Sequence, residues 1–141
     1  MDRLASLIDR DSDAYDEVVS AFRLPKASDD EKRMRTAQIQ EALRSATEVP
    51  LEIMRASAEA IHAAADVAAF GNGHASSDVQ VGLELLMAAL RGAKLNVAIN
   101  LTSLKEAAYV EAAGQEAERV NLAAEAARRA AVESLPSQQR N

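Results

Sequence analysis

The chain contains no cysteine, no tryptophan and only four other aromatic residues, two Phe and two Tyr. Without cysteine it forms no disulfide, binds no zinc through thiolates and uses no cysteine nucleophile. With so few aromatic side chains, its core has to be built from Ala, Leu, Val, Ile and Met. The two histidines, His62 and His74, lie apart and have no metal-ligand spacing, so we expect no bound metal.

Basic residues are also too few to balance the acidic ones. Sixteen Lys and Arg accompany 22 Asp and Glu, which gives a net charge of −6. Nonspecific nucleic-acid binding needs a basic surface, so we expect no nucleic-acid partner. No apolar run approaches the length of a membrane span, and residues 1–5 do not resemble the start of a signal peptide. We therefore expect no membrane partner and a cytoplasmic location.

The composition strongly favours helix. Thirty-one of the 141 residues are alanine, whereas glycine occurs five times and proline three times. The length is that of one domain that can bury a core, and 48% of its residues are hydrophobic. The sequence predicts a single helical domain over residues 1–135 and a disordered tail over 136–141.

Apolar residues recur at helical spacing along the chain, and no segment alternates as a strand does. A short apolar segment runs into three acids that suit a helix start, Asp9, Asp11 and Asp13, and a helix follows that ends before Pro25. Two capping boxes, at residues 28–31 and 103–106, predict further helix starts. Pro50 should kink or split the helix that contains it. The pattern predicts an all-α, antiparallel bundle of long helices, whose small-residue core favours a dimer.

A row of small and polar residues follows the polar loop at 71–78. From Asp78, steps of four and three reach Gly82, Leu85, Ala89, Gly92, Asn96 and Asn100. The row indicates either close helix packing or a groove wall with hydrogen-bonding ends. Asp78 and Asn100 are 22 residues apart, roughly 33 Å along an unbroken helix. Either the helix breaks near Gly92, or the ligand is extended, or two subunits each contribute one end. The two-subunit groove is the most economical answer.

Six short segments, in order, resemble the cyclodeaminase/cyclohydrolase family of folate enzymes. This family includes methenyltetrahydrofolate cyclohydrolases and the C-terminal domain of formimidoyltransferase-cyclodeaminase. Each segment is weak alone, but six in register over residues 4–106 are specific. They are Leu7-Ile8-Asp9-Arg10-Asp11 with Ala14-Tyr15, Leu24-Pro25-Lys26, Ala46-Thr47-Glu48-Val49-Pro50-Leu51, Gly71-Asn72, Ser77-Asp78-Val79 and Asn96-Val97-Ala98-Ile99-Asn100-Leu101.

The resemblance implies an all-α fold, a homodimer and a tetrahydrofolate site in a groove near the subunit interface. Its first implied activity is hydrolysis of 5,10-methenyltetrahydrofolate to 10-formyltetrahydrofolate. Formiminotetrahydrofolate cyclodeaminase activity and a non-catalytic helical scaffold are the alternatives. Family members begin with a helical hairpin containing a Gly-rich turn, and this sequence starts after it. We therefore expect either a piece of a longer protein or a shortened fold.

Hydrolysis of the methenyl cation needs a carboxylate that stabilises positive charge and accepts a proton from water, and it requires no metal. We assign acid/base chemistry to Asp11, on the expectation that neighbouring acids raise its pKa. Asp78, in the first turn of a helix, is assigned to cation stabilisation or substrate anchoring. The tetrahydrofolate substrate is expected to bind through six further residues: Asp9, Lys26, Asn72, Ser77, Asn96 and Asn100.

Overall fold

The computed structural model describes residues 2–70 and 76–135, and includes side chains for 6–67 and 76–135. Within these ranges the chain forms helices and no strand, which confirms the all-α prediction. The described part contains no helix long and apolar enough to cross a membrane. The predicted tail at 136–141 lies outside the described residues. The helices are α1 (Asp2–Phe22), α2 (Asp29–Phe70), α3 (Ser76–Leu101) and α4 (Ala107–Ser134).

Helix α2 is central, because it packs against each of the other three helices. Contacts between side chains fix the directions of the helices. Residues in contact between α2 and α4 follow the same order along both helices, so these two helices are parallel. Residues in contact between α3 and α4 follow opposite orders, so those two helices are antiparallel. The chain therefore goes up and down through an antiparallel bundle, as predicted. The contacts are Tyr109–Glu48 and Arg55–Glu116 between α2 and α4, and Lys94–Glu118 and Arg128–Glu84 between α3 and α4.

The main core lies between α2, α3 and α4. The predicted stripes of α3 and α4 face it, and α4 contributes mainly alanines. Small side chains let the helix axes approach closely, so larger residues of α2 and α3 fill the space between them. The largest fully buried side chains of this core are Leu51, Met54, Ile61, Leu83, Met87, Leu90 and Val97.

Helix α1 packs on the N-terminal half of α2 through two smaller clusters. Leu7 and Ala14 contact the region of Val49, and Ala21 contacts the region of Ile39. Other apolar side chains of α1 remain exposed, with Tyr15 67% and Ile8 70% accessible. One face of α1 therefore stabilises the bundle, and a second apolar face is open.

The first capping box forms as predicted. The Ser28 hydroxyl accepts a hydrogen bond from the Glu31 amide at 3.1 Å, and the Glu31 carboxylate accepts one from the Ser28 amide at 3.0 Å. Asp29, Asp30 and Glu31 add negative charge at the positive end of α2. These interactions fix the start of α2 at Asp29.

The second capping box was predicted wrongly. Helix α4 begins at Ala107, and Glu106 is its N-cap, without a side-chain capping bond. The groups that a box would use have other partners: the Ser103 amide donates to the Asn100 carbonyl, and the Glu106 carboxylate accepts from Arg44 of α2. Gln40 of α2 also holds this connection, since its Nε2 donates to the Ser103 carbonyl and its Oε1 accepts from the Lys105 amide. A contact between helices therefore decides this boundary.

In the first half of the chain one further expectation is wrong, and one of the two alternatives for Pro50, a split helix, is ruled out. Asp9, Asp11 and Asp13 lie inside α1, which begins at Asp2, so they do not start a helix. The helix is continuous because Leu7 and Ala14 pack on α2 on either side of the acids. Helix α2 also continues through Pro50 without being split.

A polar network joins the middle of α2 to the first half of α4. The Tyr109 hydroxyl donates to Glu48 at 2.7 Å, and Arg44 lies 4.7 Å from the centre of the Tyr109 ring. Burial raises the pKa of Tyr109, and its bond to Glu48 raises it further. Arg55 donates to Glu116 at 2.7 Å and so lowers the pKa of that carboxyl. The network fixes the register of the two parallel helices.

We predict that Ser28→Ala lowers the free energy of unfolding by about 1 kcal/mol, because it removes the cap of α2. Urea denaturation measures this difference. Ser103→Ala is the matched control and should be nearly neutral, since no hydrogen bond to the Ser103 hydroxyl is found in the described part of the chain. An equal loss in both variants would contradict the assignment of the caps.

We also predict a pH-dependent effect of Glu116→Gln. The pKa of Glu116 is lowered below its ordinary value of 4.5 by the Arg55 bond, so ionised Glu116 stabilises the folded state above pH 4.5. This stabilisation is lost as the pH falls through the folded-state pKa. The variant should be less stable than the parent by about 1 kcal/mol or less at pH 7, because the pair is partly exposed, and the gap should narrow as the pH falls below 4.5. Denaturant titrations from pH 3 to 7 measure it; a gap of the same size in an Arg55→Met background would contradict the cause.

Candidate functional site

A groove of about 320 Å³ separates α1 from α3, and Ala46 of α2 lies at its floor. One wall presents Asp11, Tyr15 and Val18 of α1. The other presents Asn96, Ile99 and Asn100 of α3. A carboxylate, two amides and a phenol thus surround an apolar floor, a mixture typical of small-molecule sites.

Helical spacing brings these residues to the groove. Asp11, Tyr15 and Val18 are four and three residues apart, so they share one face of α1. Asn96 and Asn100 are one turn apart on α3 in the same way. Ala14 is buried against α2 beside this face and holds it in place. The sequence row that ends in Asn96 and Asn100 therefore does reach a groove wall.

Of the three acids Asp9, Asp11 and Asp13 on α1, Asp11 points away from the other two. Residues two apart on a helix do not face each other, and accordingly Asp11 lines this groove whereas Asp13 lines two other clefts between α1 and α2. Asp9 is exposed and is not among the groove residues. The expectation that the acids crowd Asp11 is wrong, because a continuous helix separates them.

Asp78 and Ser77 lie at the opposite end of α3. That helix is unbroken from Ser76 to Leu101, so a break near Gly92 is ruled out, and Asp78 stays roughly 33 Å from Asn100. Both Asp78 and Ser77 are exposed. The neighbouring Ser76 hydroxyl is buried and has no hydrogen-bond partner among the described residues. One protomer therefore carries two separate polar clusters.

Besides Asp9 and Ser77, two more of the predicted ligand-binding residues are not found in the groove lining. Lys26 is exposed in the connection between α1 and α2, outside the groove lining. Asn72 lies outside the described residues. Sequence reasoning did not assign Tyr15, Val18 and Ile99 to the site, although Tyr15 and Ile99 lie in segments that carry the family resemblance. The sequence could have indicated Tyr15, because it follows Asp11 by one helical turn and therefore shares its face of α1.

The small residues of α3 do not pack inside the protomer. A Cβ atom added at Gly82 or Gly92 would meet nothing within 4 Å, so close packing through these glycines is not found here. The same side of α3 exposes large apolar side chains, with Leu85 67% and Leu95 66% accessible. This outward stripe follows four-and-three spacing: Val81, Leu85, Ala88, Gly92, Leu95 and Ile99.

A larger cleft of about 790 Å³ lies on the other side of α1, also against α2. Its lining includes four carboxylates, Asp13, Asp16, Glu17 and Glu41, and no basic residue. Such a wall repels an anionic ligand. In the described part of the chain, no group of three or more His, Asp or Glu side chains is placed to hold a metal ion. The smaller groove is therefore the better candidate site.

The fold is an antiparallel bundle of long helices, and its groove is lined by a carboxylate and two amides. Together these features define the class of protein, and comparison with known proteins gives the family. The family described as formiminotransferase-cyclodeaminase matches residues 1–119, and the chain belongs to it.

Named relatives agree with this membership. The chain is 44% identical over 108 residues to the methenyltetrahydrofolate cyclohydrolase of Methylorubrum extorquens, covering 77% of this chain and 52% of that protein. It is 36% identical over 107 residues to the formimidoyltransferase-cyclodeaminase of Sus scrofa, covering 76% of this chain and 20% of the relative. The chain thus spans about half the length of the cyclohydrolase and a fifth of the pig protein.

A solved structure shares the fold. Formiminotetrahydrofolate cyclodeaminase from Thermotoga maritima superimposes with a TM-score of 0.81 at 25% sequence identity, covering 92% of this chain and 61% of that one. The four helices therefore adopt an arrangement already seen in this family.

Proposed function

We propose that the chain acts in folate one-carbon metabolism and hydrolyses 5,10-methenyltetrahydrofolate to 10-formyltetrahydrofolate. The observation that carries the proposal is the groove that brings Asp11 together with Asn96 and Asn100. The named activity of the Methylorubrum relative supports the choice of reaction.

The reaction matches the groups in the groove. The methenyl cation spreads its charge over N5, the bridging carbon and N10. A carboxylate at Asp11 stabilises that charge and accepts the proton lost by the attacking water. The bond from the bridging carbon to N5 then breaks, N5 takes up a proton, and the formyl group stays on N10. Asn96 and Asn100 supply hydrogen bonds for the pterin ring, while Tyr15 and Ile99 cover its apolar faces.

Formiminotetrahydrofolate cyclodeamination is the second candidate, favoured by the Thermotoga structure and the vertebrate relatives. There N10 attacks the formimino carbon, and ammonia leaves after protonation. Asp11 would donate that proton. The same groove serves both reactions, so the substrates have to be tested side by side.

We propose further that the protein is a homodimer, with the outward stripe of α3 as a subunit contact. Exposed Leu85, Leu95 and Ile99 form an apolar row that soluble monomers seldom leave open. Asp78 and Ser77 lie too far from Asp11 to share a small ligand within one protomer. A second copy supplies them to the groove, and Lys26 is left for the glutamate tail.

We predict that Asp11→Asn lowers kcat about 100-fold with little change in KM, because it removes the proton acceptor. Asp78→Asn should raise KM at least tenfold, since it anchors substrate. Spectrophotometric loss of methenyltetrahydrofolate measures both, with ammonia release from the formimino substrate in parallel.

Asp13→Asn is the matched control, because Asp13 lies on the same helix but lines other clefts. It should leave turnover unchanged. If Asp11→Asn and Asp78→Asn both change turnover less than tenfold, the site lies elsewhere. Absence of both activities, together with absence of folate binding, would favour the scaffold alternative.

We predict a particle of twice 15.1 kDa in multi-angle light scattering at micromolar concentration. Leu95→Glu should reduce it to a monomer, because it places a charge in the apolar stripe. Leu122→Glu, a substitution of an equally exposed leucine on α4, is the control and should remain dimeric. A 15.1 kDa particle for the parent protein would overturn the dimer.

A further inference from the structure

Pro50 leaves one backbone carbonyl of α2 without its helical partner. In an α-helix the amide of each residue donates to the carbonyl four residues earlier. Proline has no amide hydrogen, and its ring also presses on that carbonyl. Pro50 is fully buried inside α2, so the affected carbonyl is that of Ala46, at the floor of the groove.

Asn100 of α3 supplies the missing donor. Its side-chain Nδ2 donates to the Ala46 carbonyl at 3.0 Å. A carbonyl can only accept, so this bond fixes which end of the amide faces α2. The Oδ1 atom is left as an acceptor, and no donor among residues 6–67 and 76–135 reaches it.

The arrangement fixes the orientation of the Asn100 amide. A free asparagine can rotate its amide to suit either a donor or an acceptor on a ligand. The bond to Ala46 uses one of the two N–H groups of Asn100 and prevents this rotation, so the Oδ1 of this groove residue is an acceptor in a fixed orientation. A ligand that covers Oδ1 without donating to it leaves this acceptor unpaired, which is costly and penalises ligands that cannot donate.

We propose that Asn100 is the specificity-determining acceptor for an N–H donor of the folate ring, the 2-amino group, and that Pro50 is its positioning residue. This inference rests on the proposed folate function and deepens it. Pro50 acts through the Ala46 carbonyl, which it frees to hold Asn100. The missing hydrogen bond at Pro50 thereby sets which edge of the folate ring can bind in the groove.

The first test is a double-mutant cycle on thermal stability with Asn100→Ala, Pro50→Ala and both together. Asn100→Ala should lower Tm by about 4 °C, because it removes a hydrogen bond from a partly buried carbonyl. Pro50→Ala returns a helical amide to that carbonyl. In its background the Asn100→Ala loss should therefore fall below half. An equal loss in both backgrounds would overturn the coupling.

The second test measures the acceptor itself by calorimetric binding of 5-formyltetrahydrofolate and its 2-desamino analogue. The parent protein should prefer the 2-amino compound at least tenfold. Asn100→Ala should reduce this preference to less than threefold. Pro50→Ala should reduce it too, with Asn100 still present, which a purely structural role for Asn100 does not predict. Asn96→Ala, one turn away, should preserve the ratio of the two affinities.

The outcomes separate the two proposals. If the parent protein binds neither compound, the folate assignment falls and the role of the acceptor falls with it. If it binds 5-formyltetrahydrofolate but its preference survives Asn100→Ala, the folate function stands and the role of Asn100 is overturned.

Discussion

The unbroken passage of α2 through a buried proline is the constraint on which the rest of the structure depends. Helix α2 packs against each of the other helices, so a break at Pro50 would separate the half that holds α1 from the half that packs mainly on α3 and α4. Packing of Leu51 and Met54 on one side, and of Val49 on the other, keeps the two halves in one axis. The cost is a carbonyl without a helical donor, and α3 offsets it through Asn100.

Most of the fold follows from local sequence. Helical spacing identified the buried stripes of α3 and α4, and Ser28 with Glu31 fixed the start of α2. The same four-residue pattern failed at Ser103, because the Ser103 amide donates to the Asn100 carbonyl of α3 and the Glu106 carboxylate bonds to Arg44 of α2. Arg44 is far from Glu106 in the sequence, so rules that use only neighbouring residues cannot predict this difference between the two boxes.

The candidate site was only half predictable, for a related reason. Residue type and family resemblance selected Asp11, Asn96 and Asn100, and the groove brings them together. Neither indicated that Asp11 turns away from Asp13, because that depends on α1 being one continuous helix. Tyr15 was not assigned to the site, because the sequence does not show whether an apolar helix face packs in the core or lines a groove. Here that face meets the groove.

The two polar clusters of α3 would form one site only if two copies of the chain shared it. Asp78 and Asn100 lie at opposite ends of a helix whose outward side is small and apolar along its length. In the proposed dimer, a two-fold axis near Ala89, midway between Asp78 and Asn100, sets the α3 helices of the two copies antiparallel, as an isologous contact allows. Each Ser77–Asp78 end then approaches the partner's groove end. The small side chains of Ala88 and Ala89 let the helices approach at the crossing point. In such a dimer, the row of small residues lets the two helices approach, and the distance between its polar ends lets each chain contribute one end. Both properties are therefore needed for two chains to share a ligand.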